Sequence, residues 1–201
     1  MTPSRRGRRH QGVRRATAAA HAALDATLRG AGCFTSVQGY RRYLGAVAPA
    51  YAALEATLDA AGAGRLLPDW PRRRKLGLIH AELRGMGAAL DTLDRPASVA
   101  AIEARDTGDI FGALYVLEGA TLGGALLARA MRGLGLPAPA AACLLDPYGA
   151  ERGAMWRGFL TRLETVEMTY QQEQALVARA VATFSLFATA GESLMDREGA
   201  R

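Results

Sequence analysis

The sequence predicts an all-α fold in a single domain, and three observations carry that expectation. Alanine fills 42 of the 201 positions, aromatics make up only 6% and β-branched residues are few. Alanine is the best helix former, and the scarce types are those that favour sheets. Apolar residues recur at three- and four-residue spacing along most of the chain, and no strand-length alternation appears. Half the residues are hydrophobic and 22% are charged. Those shares suit one globular core and exclude a wholly disordered or disulfide-stapled chain.

Each element follows from that pattern. Ala16, Ala20, Ala23, Leu24, Thr27 and Leu28 form a stripe on a first helix over about residues 13–28, which Gly30 and Gly32 end. Thr35 and Ser36 can cap a second helix carrying Tyr40, Tyr43, Leu44, Val47, Tyr51, Leu54 and Leu58. Pro49 inside it should kink it, and Gly62 and Gly64 stop it. Asp69 as cap and Pro71 near the first turn open a third helix through Arg84 to Leu90. Its start, residues 72–75, is a basic run that reads as a solvated face. Ser98 can cap a short helix to about Arg105. Residues 109–134 are apolar and helical in period yet rich in glycine. Pro137, Pro139 and Pro147 mark a loop before a helix over about residues 150–166. Thr169 and Gln172 have capping-box spacing ahead of a last helix to about Met195. No internal repeat is present. The domain is expected to span residues 13–196, with residues 1–12 as a disordered basic arm.

Charge supports that division. The first 15 residues hold six arginines (Arg5, Arg6, Arg8, Arg9, Arg14, Arg15) and no acid, whereas the rest balances 19 basic against 19 acidic residues. The net charge of +6 therefore belongs to the start of the chain. Such a run reads as a solvated leader, with at most a sequence-independent contact to nucleic acid or a membrane surface. Lys75 is the only lysine. Cys33 and Cys143 show no metal-finger or CxxC spacing and read as reduced thiols. No secretory signal is visible, although an Arg-rich, acid-poor leader also suits a transit peptide. The apolar stretch at residues 113–131 carries Glu118 and Arg129 and reads as a buried helix with no membrane role. A cytoplasmic protein is expected.

Few residues offer chemistry. Of three histidines, His10 lies in the basic arm and reads as incidental, and His80 sits among charged neighbours on the third helix. His21 stands on an alanine-rich helix that leaves space around an imidazole, with Asp25 one turn on. A carboxylate that accepts one ring N–H fixes the tautomer and makes the other nitrogen a better metal ligand. Gly108, Gly112, Gly119 and Gly123, spaced by 4, 7 and 4 residues, fall on one stripe roughly 60° wide, and Gly124 doubles the last. Each glycine inside a helix costs about 1 kcal/mol against alanine, so the stripe needs a reason. Close helix packing is one. A flat ligand lying on bare backbone is the other. An imidazole wall facing a bare wall suits a five-coordinate haem with an open site for a small gas.

The motifs themselves are recognisable. The run Arg14-Arg15-Ala16-Thr17-Ala18-Ala19-Ala20-His21-Ala22-Ala23-Leu24-Asp25 resembles the proximal helix of haem oxygenases. Tyr115-Val116-Leu117-Glu118-Gly119-Ala120-Thr121-Leu122-Gly123-Gly124 resembles their glycine-rich distal helix, nearest to the bacterial branch that includes bacteriophytochrome-associated enzymes. Val166-Glu167-Met168-Thr169 and Ala182-Thr183-Phe184 are similar to the family's last helices. The resemblance covers about residues 13–195. It implies a haem oxygenase-like helical bundle that converts haem b, both cofactor and substrate, to biliverdin, Fe(II) and CO. O2 and an external electron donor such as a ferredoxin or a reductase would be needed, and a bilin-binding phytochrome is a candidate recipient. It further implies His21 as the iron ligand, Asp25 behind it, and Arg14, Tyr115, Gly119, Gly123, Gly124 and Phe184 around the haem. Gly119, Ala120, Thr121 and Gly123 would stand on the catalytic face.

Two departures qualify that picture. Many relatives carry an aspartate, and closer ones a serine, where this chain has Ala120. Proton delivery then falls to the Thr121 hydroxyl or to water alone. Trp156 and Leu160 stand where some relatives place basic residues for the haem propionates, leaving Arg14 as the match by spacing and Arg162 and Arg179 as weak substitutes. The alternative to turnover is a haem carrier or sensor of the same fold. A nucleic-acid regulator using the arginine arm would need a helix-turn-helix, and none is visible.

Overall fold

The computed structural model describes residues 7–88, 103–136 and 143–199, with side chains through Met195. Among the described residues there are eight α-helices and no strand. The expected all-α fold is therefore observed.

Helix α1 (Arg8–Gly30) starts earlier than expected. The described part of the basic leader, Arg8 to Gly12, is helical rather than a solvated arm, and its partners give the reason. Glu164 accepts hydrogen bonds from the backbone N–H of His10 (2.9 Å) and of Arg9 (3.4 Å), both orphan donors of the first turn. In return the Arg9 guanidinium donates to the carbonyls of Leu163 (2.9 Å) and Val166 (2.6 Å) and to Glu173 (2.9 Å). Two helix ends of opposite polarity thus cap each other. Residues 1–6, with Arg5 and Arg6, lie outside the described residues.

Helix α2 (Val37–Ala60) begins where Ser36 Oγ accepts from the Gly39 N–H at 2.9 Å, and it runs through Pro49 without interruption. Gly62, at φ +77°, ends that stretch in the left-handed region that glycine adopts at no steric cost. A single-turn helix α3 (Ala63–Leu66) follows. The third helix expected from the sequence is instead two pieces, α4 (Trp70–Arg73) and α5 (Leu76–Gly85). The break comes at residues 74–75, where Glu55 captures the backbone N–H of Lys75 and Leu76. Asp69 does not cap α4 with its side chain; its carboxylate holds Arg73 at 2.7–2.8 Å. The helix expected from Ser98 falls mostly outside the described residues, and residues 103–105 are not helical.

The glycine-rich segment forms α6 (Thr107–Gly133), capped by Asp106 through the Asp109 N–H at 2.9 Å. A short 3-10 turn (Gly149–Glu151) leads into α7 (Arg152–Thr165). Helix α8 (Tyr170–Gly199) opens with the expected reciprocal capping box. Thr169 N–H donates to Gln172 Oε1 (2.9 Å), and Gln172 N–H donates to Thr169 Oγ1 (3.3 Å).

Packing places the site. Helices α1 and α6 both lie along α8 and touch α7, yet they hardly touch each other. The core beneath them joins Leu44, Leu54, Leu58, Phe111, Leu114, Phe159, Leu163, Leu176 and Ala180. Two of the stripe glycines serve this packing. A Cβ at Gly108 would stand 2.0 Å from the Gln172 carbonyl oxygen, and one at Gly112 would stand 2.5 Å from that of Leu176. No side chain fits, so α8 lies directly on α6 backbone. Helices α6 and α8 are both long and apolar enough to cross a membrane, but 61% of the apolar stretch of α6 is buried inside the fold.

Candidate functional site

Helices α1 and α6 flank a slot over α8, and His21 stands on α1. His21 Nδ1 lies 3.1 Å from Asp25 Oδ2, one turn along α1. With Nδ1–H donated to the carboxylate, Nε2 keeps its lone pair and is free to bind a metal. The side chains stay 59% and 53% exposed, on an alanine-rich helix. Phe184 of α8 packs its ring 5.5 Å from the imidazole at 62°, which limits how the ring can turn. His21, Asp25 and Phe184 therefore lie together.

Across the slot, the stripe of α6 divides by function. A Cβ at Gly123 would meet nothing within 4 Å, and one at Gly119 would touch only the Trp156 ring edge at 3.9 Å. These two glycines bare the backbone to open space. Gly124 does not join them: a Cβ there would stand 2.0 Å from the Leu145 carbonyl, so it is a packing glycine on another face of α6. Thr121 is also corrected. It is buried, and its hydroxyl donates to the Glu118 carbonyl at 2.7 Å, away from the open face. Ala120 is exposed beside Gly119 and offers no proton. Leu122 and Leu126 continue the exposed face as an apolar rim.

One end of the slot is closed by rings. Tyr115 is buried, with its ring 6.0 Å from His10 and 5.8 Å from Trp156. His10 is thus no incidental residue of an arm but part of this wall, 5.8 Å from Trp156. Arg14 lies between His10 and His21 on the same stripe of α1, and its charge reaches both His10 and Tyr115. Burial first, then Arg14, holds the His10 pKa below its ordinary 6.5, against the opposing pull of Glu164. The fold therefore prefers neutral His10. Its contribution to stability is complete above pH 6.5 and is lost as pH falls through the lowered value. Thermal melts between pH 7.5 and 5 should show a declining midpoint, and His10→Phe should flatten that decline. An unchanged slope would show that His10 packing is not protonation-linked. Arg162 and Arg179 do not reach the slot: they bind the Leu66 carbonyl and Asp109 respectively.

Behind α6 lies a feature that the sequence reading missed. Glu118 is buried and accepts hydrogen bonds from Arg73, from Lys75 Nζ at 2.8 Å and from the Tyr148 hydroxyl at 2.8 Å. Arg73 and Lys75 are each 2% exposed. The basic run at residues 72–75 is consequently not a solvated face; alternate residues turn inward to neutralise a buried acid. Two signals pointed there: an acid inside the longest apolar stretch, and the only lysine in an arginine-rich chain.

A family model described as "Heme oxygenase" matches residues 9–192. The chain belongs to the haem oxygenase family. Its fold resembles the NO- and CO-bound haem oxygenase from Neisseria meningitidis with a TM-score of 0.78 and 20% identity, over 92% of this chain and 91% of that one. It also resembles the haem oxygenase from Leptospira interrogans, with a TM-score of 0.73 and 20% identity over 90% and 97% of the two chains. No curated protein matches the sequence. As a haem oxygenase, the chain is a haem-degrading oxidoreductase with haem as its substrate. The slot fits that group. It offers one imidazole with a committed Nδ1 on α1, bare backbone on α6, and a cation with a phenol near their ends.

Proposed function

We propose that this haem oxygenase converts haem b to biliverdin, Fe(II) and CO, with His21 as axial ligand. The observation that carries the reading is the pairing of an Asp25-oriented imidazole on α1 with the open Gly119 and Gly123 backbone on α6. When bound, haem supplies the redox chemistry with O2 and is itself the molecule oxidised. The protein's share is placement. Asp25 orients His21, and Phe184 limits the rotation of its ring. Gly119 and Gly123 would leave room for a flat macrocycle against backbone, with the apolar Leu122 and Leu126 beside it. Arg14 and Tyr115 offer a charge and a hydroxyl to the propionates. Ala120 is exposed and the Thr121 hydroxyl is already engaged, so protons reach this face through water. Electrons come from an external ferredoxin or reductase, in the cytoplasm, and the bilin is available to a phytochrome.

Ala120 is also the observation that favours the second reading, a haem carrier or sensor. One experiment separates the two. Haemin titration should give a saturable Soret band that His21→Ala removes and Asp25→Asn weakens by about 10–100-fold. Reductant plus O2 should then replace that band with biliverdin absorbance. A stable Soret band under reductant and O2 would leave the carrier. A band indifferent to His21→Ala would remove His21 as ligand.

A further inference from the structure

Among the described residues, only the Trp156 ring edge comes near the open face of α6 at Gly119, and nothing comes within 4 Å of a Cβ at Gly123. Glycine backbone is intrinsically yielding, and glycines cluster at positions 119, 123 and 124. The height of that backbone over a bound haem must therefore be set from behind. Glu118 directly precedes Gly119, and its carboxylate is held by groups from two other segments. Arg73 and Lys75 come from the α4–α5 junction, and Tyr148 comes from the turn before α7. Each cation is itself anchored: Arg73 by Asp69 (2.7 Å) and the Met155 carbonyl (3.2 Å), and Lys75 by the Arg73 carbonyl (2.9 Å). Lys75 Nζ also lies 5.6 Å from the centre of the Tyr148 ring. Arg73 and Lys75 balance Glu118 and Asp69, so the cluster is neutral overall.

A second hold acts one turn further on. Gly124 seats against the Leu145 carbonyl, and the neighbouring Leu144 N–H is tied at 2.6 Å to buried Glu82, which also accepts from the Tyr40 hydroxyl at 3.0 Å. Stability alone does not call for such a device, because well-packed apolar residues serve as well as buried ion pairs or better. What directed charges add is a fixed geometry.

We propose that Arg73, Lys75 and Tyr148 are positioning residues for haem turnover, setting through Glu118 the depth of the α6 backbone at residues 119–123 over the haem. The proposal rests on the haem reading of the slot. Tyr148→Phe removes one hydroxyl and is the mild variant; Lys75→Met is the stronger one. In haem-free protein, amide exchange at residues 119–124 should accelerate at least tenfold in Tyr148→Phe, with α2 unchanged. In haemin-loaded protein, reduced and exposed to CO, the CO affinity should shift at least threefold. The ratio of biliverdin isomers should shift with it, while His21-dependent Soret binding persists. Unchanged exchange at residues 119–124 overturns the proposal. So does acceleration spread evenly through α2, or local acceleration with CO affinity and isomer ratio unmoved. If wild-type protein shows no His21-dependent Soret band, the haem reading itself has failed, whatever the exchange data show.

Discussion

Alanine at position 123 is expected to stabilise the haem-free protein, and alanine at position 108 to destabilise it, although both replace a glycine on one stripe of one helix. At Gly123 a new Cβ meets nothing within 4 Å. The substitution then expresses helix propensity alone, a gain of about 1 kcal/mol. At Gly108 the Cβ would overlap the Gln172 carbonyl at 2.0 Å. A backbone oxygen cannot rotate aside as a flexible side chain can. Helix α8 must move off α6, at a cost of about 1–3 kcal/mol or more. For a chain of this size each kcal/mol moves the melting midpoint by about 2–4 °C. Thermal melts followed by circular dichroism should therefore separate the two variants in opposite directions. Haem affinity should separate them the other way. Gly123→Leu projects a side chain into the slot and should weaken haemin binding at least tenfold. Gly108→Ala should leave the affinity of the folded fraction intact. Equal melting shifts at the two positions would contradict the division of the stripe into packing and open glycines.

That division also shows what the sequence could and could not reveal. Helical periodicity placed Gly108, Gly112, Gly119 and Gly123 on one face because 3.6-residue geometry is a local property. What lies opposite each glycine is not local. It depends on where α8 ends its contact with α6 and where the slot begins, so packing and ligand access stayed open alternatives until the helices were placed. His21 and Asp25 were legible because an i,i+4 pair needs no tertiary knowledge. Thr121 and Gly124 were misread because membership of a motif says nothing about which side of the helix a residue faces. Thr121 turns to the Glu118 carbonyl and Gly124 to Leu145. His10 was misread for a similar reason. Its leader looked solvated by composition, yet Glu164, 154 residues away in sequence, caps its helix.

The basic run at residues 72–75 gives the sharpest test of what composition conceals. Arg72 and Arg73 are adjacent and each is ion-paired, but in opposite environments. Arg72 reaches Glu151 at 2.8 Å with both side chains more than half exposed. Solvent screens that pair, and Arg72→Met should change stability by about 0–1 kcal/mol. Arg73 and Glu118 have side chains only 1% exposed. Arg73→Met should cost about 3–5 kcal/mol, because Glu118 would stay buried with one cation fewer to neutralise it. Asp69 adds little to that loss near neutral pH, since at 43% exposure water can replace the lost guanidinium. Its effect shows in acid. The Arg73 hydrogen bond, with its charge, outweighs burial and holds the Asp69 pKa below its ordinary 3.8. That contribution is present above pH 3.8 and is lost as pH falls through the lowered value. Near neutral pH, urea unfolding should place the midpoint of Arg73→Met far below wild type and that of Arg72→Met close to it. On acidification below pH 3.8, wild type should shed the Asp69 contribution that Arg73→Met already lacks. Similar midpoints for the two variants would mean that Glu118 is not neutralised by Arg73, and the lock behind α6 would lose its main support.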